Sequence, residues 1–298
     1  MKKNVFAAIA GRANTGKSTL INLLVGDKIA IVSDKPQTTR TLIHGIITKN
    51  DTQFVFIDTP GVHRARNRLS EHMVKHARTG AAGADVVLLT FDCTKKISPT
   101  DKALIESYQG DVILLLNKVD LIKDKGKILT LIEEFSALHD FAEIIPISAK
   151  TGVNTERILP ALEKYATEAE QHYFPENLST DQAEKIRLSE IIREKLLQSM
   201  YEEIPHGIAV EIESMNEDKT NKGSAIFDIS AVIICEKETH KGMIIGKQGA
   251  NLKKIGSEAR LEMEQYFDCK VNMKLWVKVK EDWRNKEGFI ADLGLNAE

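Results

Sequence analysis

The sequence predicts two domains of different class: an α/β domain with a mostly parallel sheet and helices on both faces, then a smaller α+β domain. Three observations predict it. From Asn4 to about Gln171, short apolar runs alternate with longer stretches of helical period, the pattern of strands joined by crossover helices. Around 172–181 that pattern lapses into HYFPENLSTD, where Pro175 and a Ser-Thr-Asp helix start mark a boundary. Beyond it the order becomes helix, two alternating strands, helix and strand, with no repeat of the first part. The expected division is 1–171 for the first domain, 172–184 for a linker and 185–298 for the second, which suits a 298-residue chain at roughly 150 residues per domain.

In order, strands are expected at 5–10, 42–48, 53–58, 84–92, 111–117 and 143–148, and helices at 18–25, 70–82, 100–108, 127–138 and 156–170. The link 49–52 is short enough for an antiparallel hairpin. In the second part, a helix is expected at 183–203, strands at 206–214 and 224–235, a helix at 249–267 and a strand at 269–279.

Composition narrows the function classes. With 42% hydrophobic and 28% charged residues, the chain is an ordinary globular protein rather than a disordered or fibrous one. Forty-one basic and 43 acidic side chains nearly cancel, so overall charge names no partner. Cys93, Cys235 and Cys269 are far apart with no CxxC pair. Neither a zinc site nor a disulfide framework is expected, and a reducing, cytoplasmic home is. The longest apolar runs, 84–91 and 112–116, fall far short of the roughly 20 residues that span a bilayer. Lys2-Lys3 before a short apolar stretch mimics a signal peptide, but that stretch runs straight into a glycine-rich motif that needs a strand before it.

That motif carries chemistry. Gly11-Arg12-Ala13-Asn14-Thr15-Gly16-Lys17-Ser18 is a G-x-x-x-x-G-K-S loop between an expected strand and an expected helix. Its glycines let backbone N–H groups converge on phosphate oxygens, and the helix N-terminus adds partial positive charge. Lys17 is placed to neutralise the β- and γ-phosphates and Ser18 to ligate Mg²⁺. Three further segments choose the nucleotide. Asp58-Thr59-Pro60-Gly61 ends the third strand, where Asp58 can hold Mg²⁺ through water and the Gly61 N–H can sense a γ-phosphate. At the end of the fifth strand, in Asn117-Lys118-Val119-Asp120, Asp120 can accept from guanine N1–H and its amino group, donors adenine lacks in that pattern. The Lys118 stem can cover the base while Asn117 ties the two loops together. In Ser148-Ala149-Lys150 a backbone N–H can donate to guanine O6. Each short motif alone is weak; in this order, each at a strand end, they are strong.

Together these segments resemble the Ras-like GTPase superfamily. Pro36-Gln37-Thr38-Thr39-Arg40 and the GRxNxGKS form of the loop resemble the bacterial group that contains Era, Der and MnmE. The resemblance implies GTP and GDP as ligands, a Mg²⁺ held by Ser18, Thr39 and, through water, Asp58, and catalytic roles for Lys17, Thr39, Gly61 and Asn14. Val62 stands directly after the DxxG glycine, where Ras-type enzymes carry the glutamine that orients water, so slow intrinsic hydrolysis is expected. In such glutamine-less relatives the asparagine matching Asn14 can hold K⁺, which makes K⁺ a candidate second cation, with Thr38 and its neighbours completing its shell. The alternative leaves Asn14 only shaping the loop. His63 is a candidate substitute base, with a bystander role as the alternative. Ala13 and Thr15 depart from the proline and valine usual in the family.

In the second part, 241–280 holds nine Lys or Arg against four Asp or Glu, the footprint of a polyanion partner. Gly246-Lys247-Gln248-Gly249 lies between an apolar segment and an amphipathic helix bearing Lys253. A GxxG turn admits a sugar-phosphate backbone close to the main chain, as in KH modules that clamp single-stranded RNA; alone, it is more often an ordinary tight turn. The order of elements fits a type II KH domain. Tyr173-Phe174-Pro175-Glu176, Glu190-Ile191-Ile192-Arg193-Glu194-Lys195, Glu203-Ile204-Pro205-His206-Gly207 and Leu275-Trp276-Val277-Lys278-Val279 resemble the Era family over nearly the whole chain.

That resemblance implies binding of 16S rRNA near its 3′ end, a role with the 30S subunit, and a monomer in the cytoplasm. The rival is a signalling GTPase whose basic patch meets anionic lipid at the inner face of the membrane; lipid needs positive charge but no glycine pair. Trp283 and Phe289 are read as packing on their own domain, with base stacking as the alternative. The helix from Ala183 is read as bracing the second sheet rather than contacting membrane or ribosome.

Overall fold

The computed structural model describes residues 1–33, 35, 38–61, 67–108, 110–200, 207–219 and 225–296. Two compact units divide at Asp181. In the first, strands β1 (Lys2–Ala10), β2 (Ile43–Lys49), β3 (Thr52–Asp58), β4 (Val86–Asp92), β5 (Val112–Asn117), β6 (Glu143–Pro146) and β7 (Thr167–Ala169) form one sheet of order β2-β3-β1-β4-β5-β6, with β7 beside β1. The ladders β3-β1-β4-β5-β6 are parallel and β2 runs antiparallel to β3, as expected for the short link at 49–52, where Asn50 takes φ 55°.

Every residue of β4 (VVLLTFD) and β5 (VILLLN) is buried, as the continuous apolar runs of parallel strands require. Alternate side chains feed two cores. One gathers Ile9, Phe54, Phe56, Leu88, Leu115 and Ile145 against α1 (Lys17–Val25) and α5 (Ile158–Glu163). The other gathers Ala8, Leu89, Phe91, Leu114 and Leu116 against α3 (Pro99–Glu106) and α4 (Gly126–Ser136). Helix α2 (Arg68–Ala82) lies between β3 and β4 in the chain. The start of α3 shows why it begins where it does: Ser98 and Asp101 form a capping box and Pro99 opens the helix.

One expected helix is wrong. The span 156–170 is not continuous: α5 stops at Glu163 and Thr167–Ala169 is β7, antiparallel to Lys2–Asn4. The register explains it, because β4 pairs only with Ala7–Ala10 and leaves the start of β1 an open edge that a short strand can satisfy. Of the segment expected as a linker, 172–184, the part up to Asp181 belongs to the first unit and is fastened to it. Gln53 exchanges hydrogen bonds with the Phe174 backbone (2.9 and 3.0 Å), the Ile46 N–H donates to Ser179 O, and Ser179 Oγ bonds Asp27 Oδ2 at 2.9 Å.

The second unit runs from Gln182 to Asn296. A sheet of order β10-β9-β8 (Lys270–Val279, Ala225–Cys235, Ala209–Lys219) pairs β8 with β9 antiparallel and β9 with β10 parallel. Helices α6 (Glu184–Ser199), α7 (Glu238–Ile245) and α8 (Ala250–Phe267) contribute Leu188, Ile192, Leu196, Ile244, Ile255, Ala259 and Met263 to its core. Burying such a side chain is worth about 1.5–3 kcal/mol, so α6 braces this sheet. Trp283 is fully buried, gives its indole N–H to Gly207 O at 3.0 Å, and meets Phe289 of α9 (Glu287–Asp292) edge-on. No helix among the described residues is long and apolar enough to cross a membrane.

Candidate functional site

Strand topology builds the site. Ala10, Asp58, Asp92, Asn117 and Pro146 all end strands of one largely parallel sheet, and ligands of such sheets sit beyond the carboxyl ends. The loop from Gly11 to Ser18 crosses that edge into α1, with Gly11 at φ 143° and Gly16 at φ 98°. Both positions need glycine for space as well: a Cβ on Gly11 would lie 2.5 Å from Thr90 Oγ1, and one on Gly16 would collide with Asn117 Nδ2. Asn14 takes φ 65°, a left-handed conformation that asparagine tolerates better than most residues. A cleft of about 270 Å³ opens over this loop, lined by Ala13, Asn14, Gly16, Lys17, Ser18, Lys35, Thr38, Thr39, Gly61 and Lys118, among others.

Lys17 is buried, its ammonium donating to Gly11 O (3.2 Å) and Arg12 O (3.0 Å). Burial lowers its pKa, against the pull of Asp58. Arg12 points away from the cleft and bonds Ser98 (3.1 Å) and Asp101 (3.2 Å), so its side chain anchors the loop to α3. Glycine at 61 lets the two loops approach closely: a Cβ there would stand 3.1 Å from the Ala13 backbone. Thr59 gives its hydroxyl to Ile9 O at 2.9 Å and, like Pro60, is buried, which makes both supports of the strand end. Val62 and His63 lie outside the described residues, as do Pro36 and Gln37.

The three residues expected to hold Mg²⁺ meet. Ser18 Oγ lies 3.0 Å from Thr39 Oγ1, and both hydroxyls reach Asp58 Oδ2, at 3.0 and 3.3 Å. Asp58 Oδ1 is buried with no partner, which costs about 1–3 kcal/mol unless something satisfies it. Burial pushes this carboxyl up to about 6, opposed by Lys17, Ser18 and Thr39. Two hydroxyls and an orphaned carboxylate oxygen are hard oxygen donors, the set that suits Mg²⁺, and they fit the ion. Thr38 instead gives its hydroxyl to Lys35 O at 2.6 Å.

The base-recognition side converges on Asn117, whose amide donates to Thr15 O (2.8 Å) while its carbonyl oxygen accepts from the Lys118 N–H (2.8 Å) and the Ala149 N–H (2.9 Å). Ser148 Oγ donates to Asp120 Oδ1 at 2.6 Å, holding the carboxylate at the rim. Lys118, at φ 68°, sends its ammonium to Asn14 O and Asp92 Oδ2, both at 2.7 Å. Burial raises the Asp92 carboxyl, yet hydrogen bonds from Lys118 and Thr94 bring it down overall. The Ala149 N–H at this edge is engaged by the Asn117 carbonyl oxygen. Val119 packs beneath and Lys150 is exposed.

In the second unit Gly246 (φ 72°) and Gly249 (φ 77°) flank Lys247 and Gln248, with Gln248 itself at φ 52°. The two glycines differ. A Cβ on Gly246 would lie 2.8 Å from Asn251 Cβ, whereas one on Gly249 meets nothing within 4 Å. Lys247, Gln248 and Lys253 are exposed. Beside them a groove of about 350 Å³ runs between α8 and β10, floored by Leu252, Gly256, Met273 and Leu275 and edged by Lys253, Ser257 and Arg260. The sequence reading missed this floor. Its signal was Gly256 inside a helix, where the absent side chain leaves room above Met273 and Leu275.

Residues 6–118 match the model of the family described as 50S ribosome-binding GTPase, and residues 203–284 match the KH domain model. The chain is similar to GTPase Era of Clostridioides difficile, at 46% identity over 99% of each, and to GTPase Era of Clostridium perfringens, at 44% over 99% of this chain and 98% of the relative. A crystal structure of Era with MgGDPNP and nucleotides 1506–1542 of 16S ribosomal RNA superposes with TM-score 0.95 at 35% identity, covering 100% of both chains. A variant of Aquifex aeolicus Era bound to GDP and AlF4⁻ gives 0.93 at 35%, covering 99% of this chain and 100% of that one. With a phosphate loop, a guanine-selective edge and a GxxG module in one order, and relatives matching end to end, the chain belongs to the Era family of GTPases.

Proposed function

We propose that the chain is a GTP-controlled RNA-binding switch that hydrolyses GTP to GDP and phosphate and acts on 16S rRNA during assembly of the 30S subunit in the cytoplasm. One observation carries it: Asn117 joins the phosphate loop to both base-recognition segments through Thr15 O and the Ala149 N–H, so phosphate and guanine are read by one connected edge. Relatives solved with a GTP analogue and with a 16S rRNA fragment support the same reading.

The residues divide the work. Lys17 and the loop N–H groups take the phosphates, Asp120 takes the guanine donors, and Thr39 and the Gly61 N–H register the γ-phosphate. Mg²⁺, when bound at Ser18, Thr39 and Asp58, supplies charge neutralisation between phosphates. Val62 offers no hydrogen bond to an attacking water, so turnover is slow. K⁺ beside Asn14 is the candidate source of the missing transition-state charge. The γ-phosphate orders the two switch segments and thereby controls the RNA surface. In the second unit, the GxxG turn holds the RNA backbone and the Leu252–Met273–Leu275 groove takes bases, with Lys247 and Lys253 on phosphates. The protein works as a monomer.

The test is Asp120→Asn, which replaces the acceptor that guanine needs with a group offering a donor to the C2 oxygen of xanthine. GTP affinity is expected to fall at least a hundredfold while xanthosine triphosphate gains, and wild type is expected to prefer GTP to ATP by about 10⁴. ATP binding to wild type within tenfold of GTP overturns the reading.

A further inference from the structure

Behind the phosphate loop lies a buried hydroxyl pair. Thr15 Oγ1 is 2.7 Å from Thr90 Oγ1, in a site where both residues are buried. Thr15 Oγ1 is also 3.0 Å from Arg12 O, and Thr90 Oγ1 is 3.0 Å from Ala10 O. Two hydroxyls carry two protons, and three hydrogen bonds compete for them. Two arrangements fill the pair. In one, Thr15 donates to Thr90 and Thr90 to Ala10 O, leaving Arg12 O to the Lys17 ammonium 3.0 Å away. In the other, Thr15 donates to Arg12 O while Thr90 keeps Ala10 O and the bond between the two hydroxyls is given up, so Arg12 O no longer needs Lys17.

The Lys17 ammonium has three N–H groups, and two now serve Gly11 O and Arg12 O. A diphosphate asks it for one, at the β-phosphate, and both carbonyls keep their partner. A triphosphate asks for two, at β and γ, and one of the two carbonyls, the part-buried Arg12 O rather than the buried Gly11 O, then loses its Lys17 donor. We propose that Thr15 is a positioning residue that favours the triphosphate over the diphosphate: its hydroxyl turns from Thr90 to Arg12 O when Lys17 leaves that carbonyl for the γ-phosphate. This rests on the guanine-nucleotide reading above and adds to it a determinant of which nucleotide state the loop prefers.

The experiment measures dissociation constants of GDPNP and GDP, with Mg²⁺, for the full-length wild type and for Thr15→Val, Thr15→Ser and Thr90→Val. Valine keeps the branched shape, and the ratio of the two constants cancels any loss common to both nucleotides; a thermal melt with GDP reports the fold of each variant. The preference for GDPNP is expected to fall about fivefold in Thr15→Val, the weight of one hydrogen bond, and to return in Thr15→Ser. It is expected not to fall in Thr90→Val, whose Thr15 proton has only Arg12 O to serve. A wild-type ratio in Thr15→Val, or an equal fall in Thr90→Val, overturns the proposal. A wild type that binds neither nucleotide overturns the underlying reading instead.

Discussion

The Asn117 amide donates to the Thr15 carbonyl at 2.8 Å across 102 residues of sequence, and the Gly16 Cα lies so close to that amide that any Cβ would strike it. The base-reading edge and the phosphate loop are therefore one mechanical unit, and glycine at 16 is required by a neighbour as well as by its φ of 98°.

Gly16→Ala separates these two requirements when set beside Gly26→Ala. Gly26 caps α1 at φ 76° with nothing within 4 Å of an added Cβ, so its variant meets backbone strain alone, about 1–2 kcal/mol. Gly16→Ala adds the collision and is expected to lose more than tenfold in GDP affinity and to melt lower than Gly26→Ala by several degrees. Equal GDP affinity in the two variants counts against the coupling.

Glu264 makes a pH-dependent contribution to the start of β10. The Val271 N–H donating at 3.3 Å, with Arg260 at 2.9 Å and Lys270 at 3.7 Å, holds its carboxyl below the usual glutamate value of 4.5, against a smaller burial effect. A depressed carboxyl adds stability that is present above 4.5 and is lost as pH falls through the folded value. Glu264→Gln is expected to lower hydrogen-exchange protection of the Val271 amide about fivefold at pH 7, and by progressively less below pH 4.5. A pH-independent effect shows that the carboxylate charge is not involved.

Asn14 carries two readings that its φ of 65° keeps entangled, because alanine there strains the backbone and removes the amide together. Glycine removes only the amide. If the side chain holds K⁺, wild type hydrolyses GTP faster in K⁺ than in Na⁺ at equal ionic strength, and Asn14→Gly loses that difference. A retained K⁺ effect in Asn14→Gly leaves Asn14 as a shaping residue.

How much of this was legible in the sequence depends on how local each cause is. The clustering of the phosphate loop, Asp58–Gly61, Asn117–Asp120 and Ser148–Lys150 was legible because each is a short run that follows a strand end. The β7 strand was not, since its cause is the open edge of β1, at the far end of the domain's sequence. Thr15 reads as an oddity until Thr90 stands beside it, and the anchoring role of the Arg12 side chain shows only with Ser98 and Asp101 beside it. The groove floor of Leu252, Met273 and Leu275 has the spacing of any helix and strand core, and apart from Gly256 only the fold distinguishes it.

The RNA clamp is best tested at Gly249. Gly246 is a poor probe: a Cβ there would lie 2.8 Å from Asn251 Cβ, and Asn251 Nδ2 bonds Met243 O and Ile244 O at 3.3 and 3.2 Å, so its loss disturbs the end of α7. At Gly249 an added side chain meets open space and projects into the groove mouth that Leu252 and Lys253 help line. The φ of 77° costs Gly249→Asp about 1–2 kcal/mol at most, since aspartate tolerates the left-handed region. In a unit with its own core, a melting curve on the same variant measures this. RNA affinity is expected to fall far more than for removal of a single lysine, because the carboxylate meets the phosphate backbone with both bulk and like charge. Lys247→Ala and Lys253→Ala are each expected to flatten the salt dependence of binding by about 0.7, the single-strand value for one phosphate no longer neutralised. A folded Gly249→Asp protein that binds the 3′ segment of 16S rRNA at wild-type affinity places the RNA elsewhere. Binding of anionic vesicles abolished by the same lysine variants would then give the basic face to lipid.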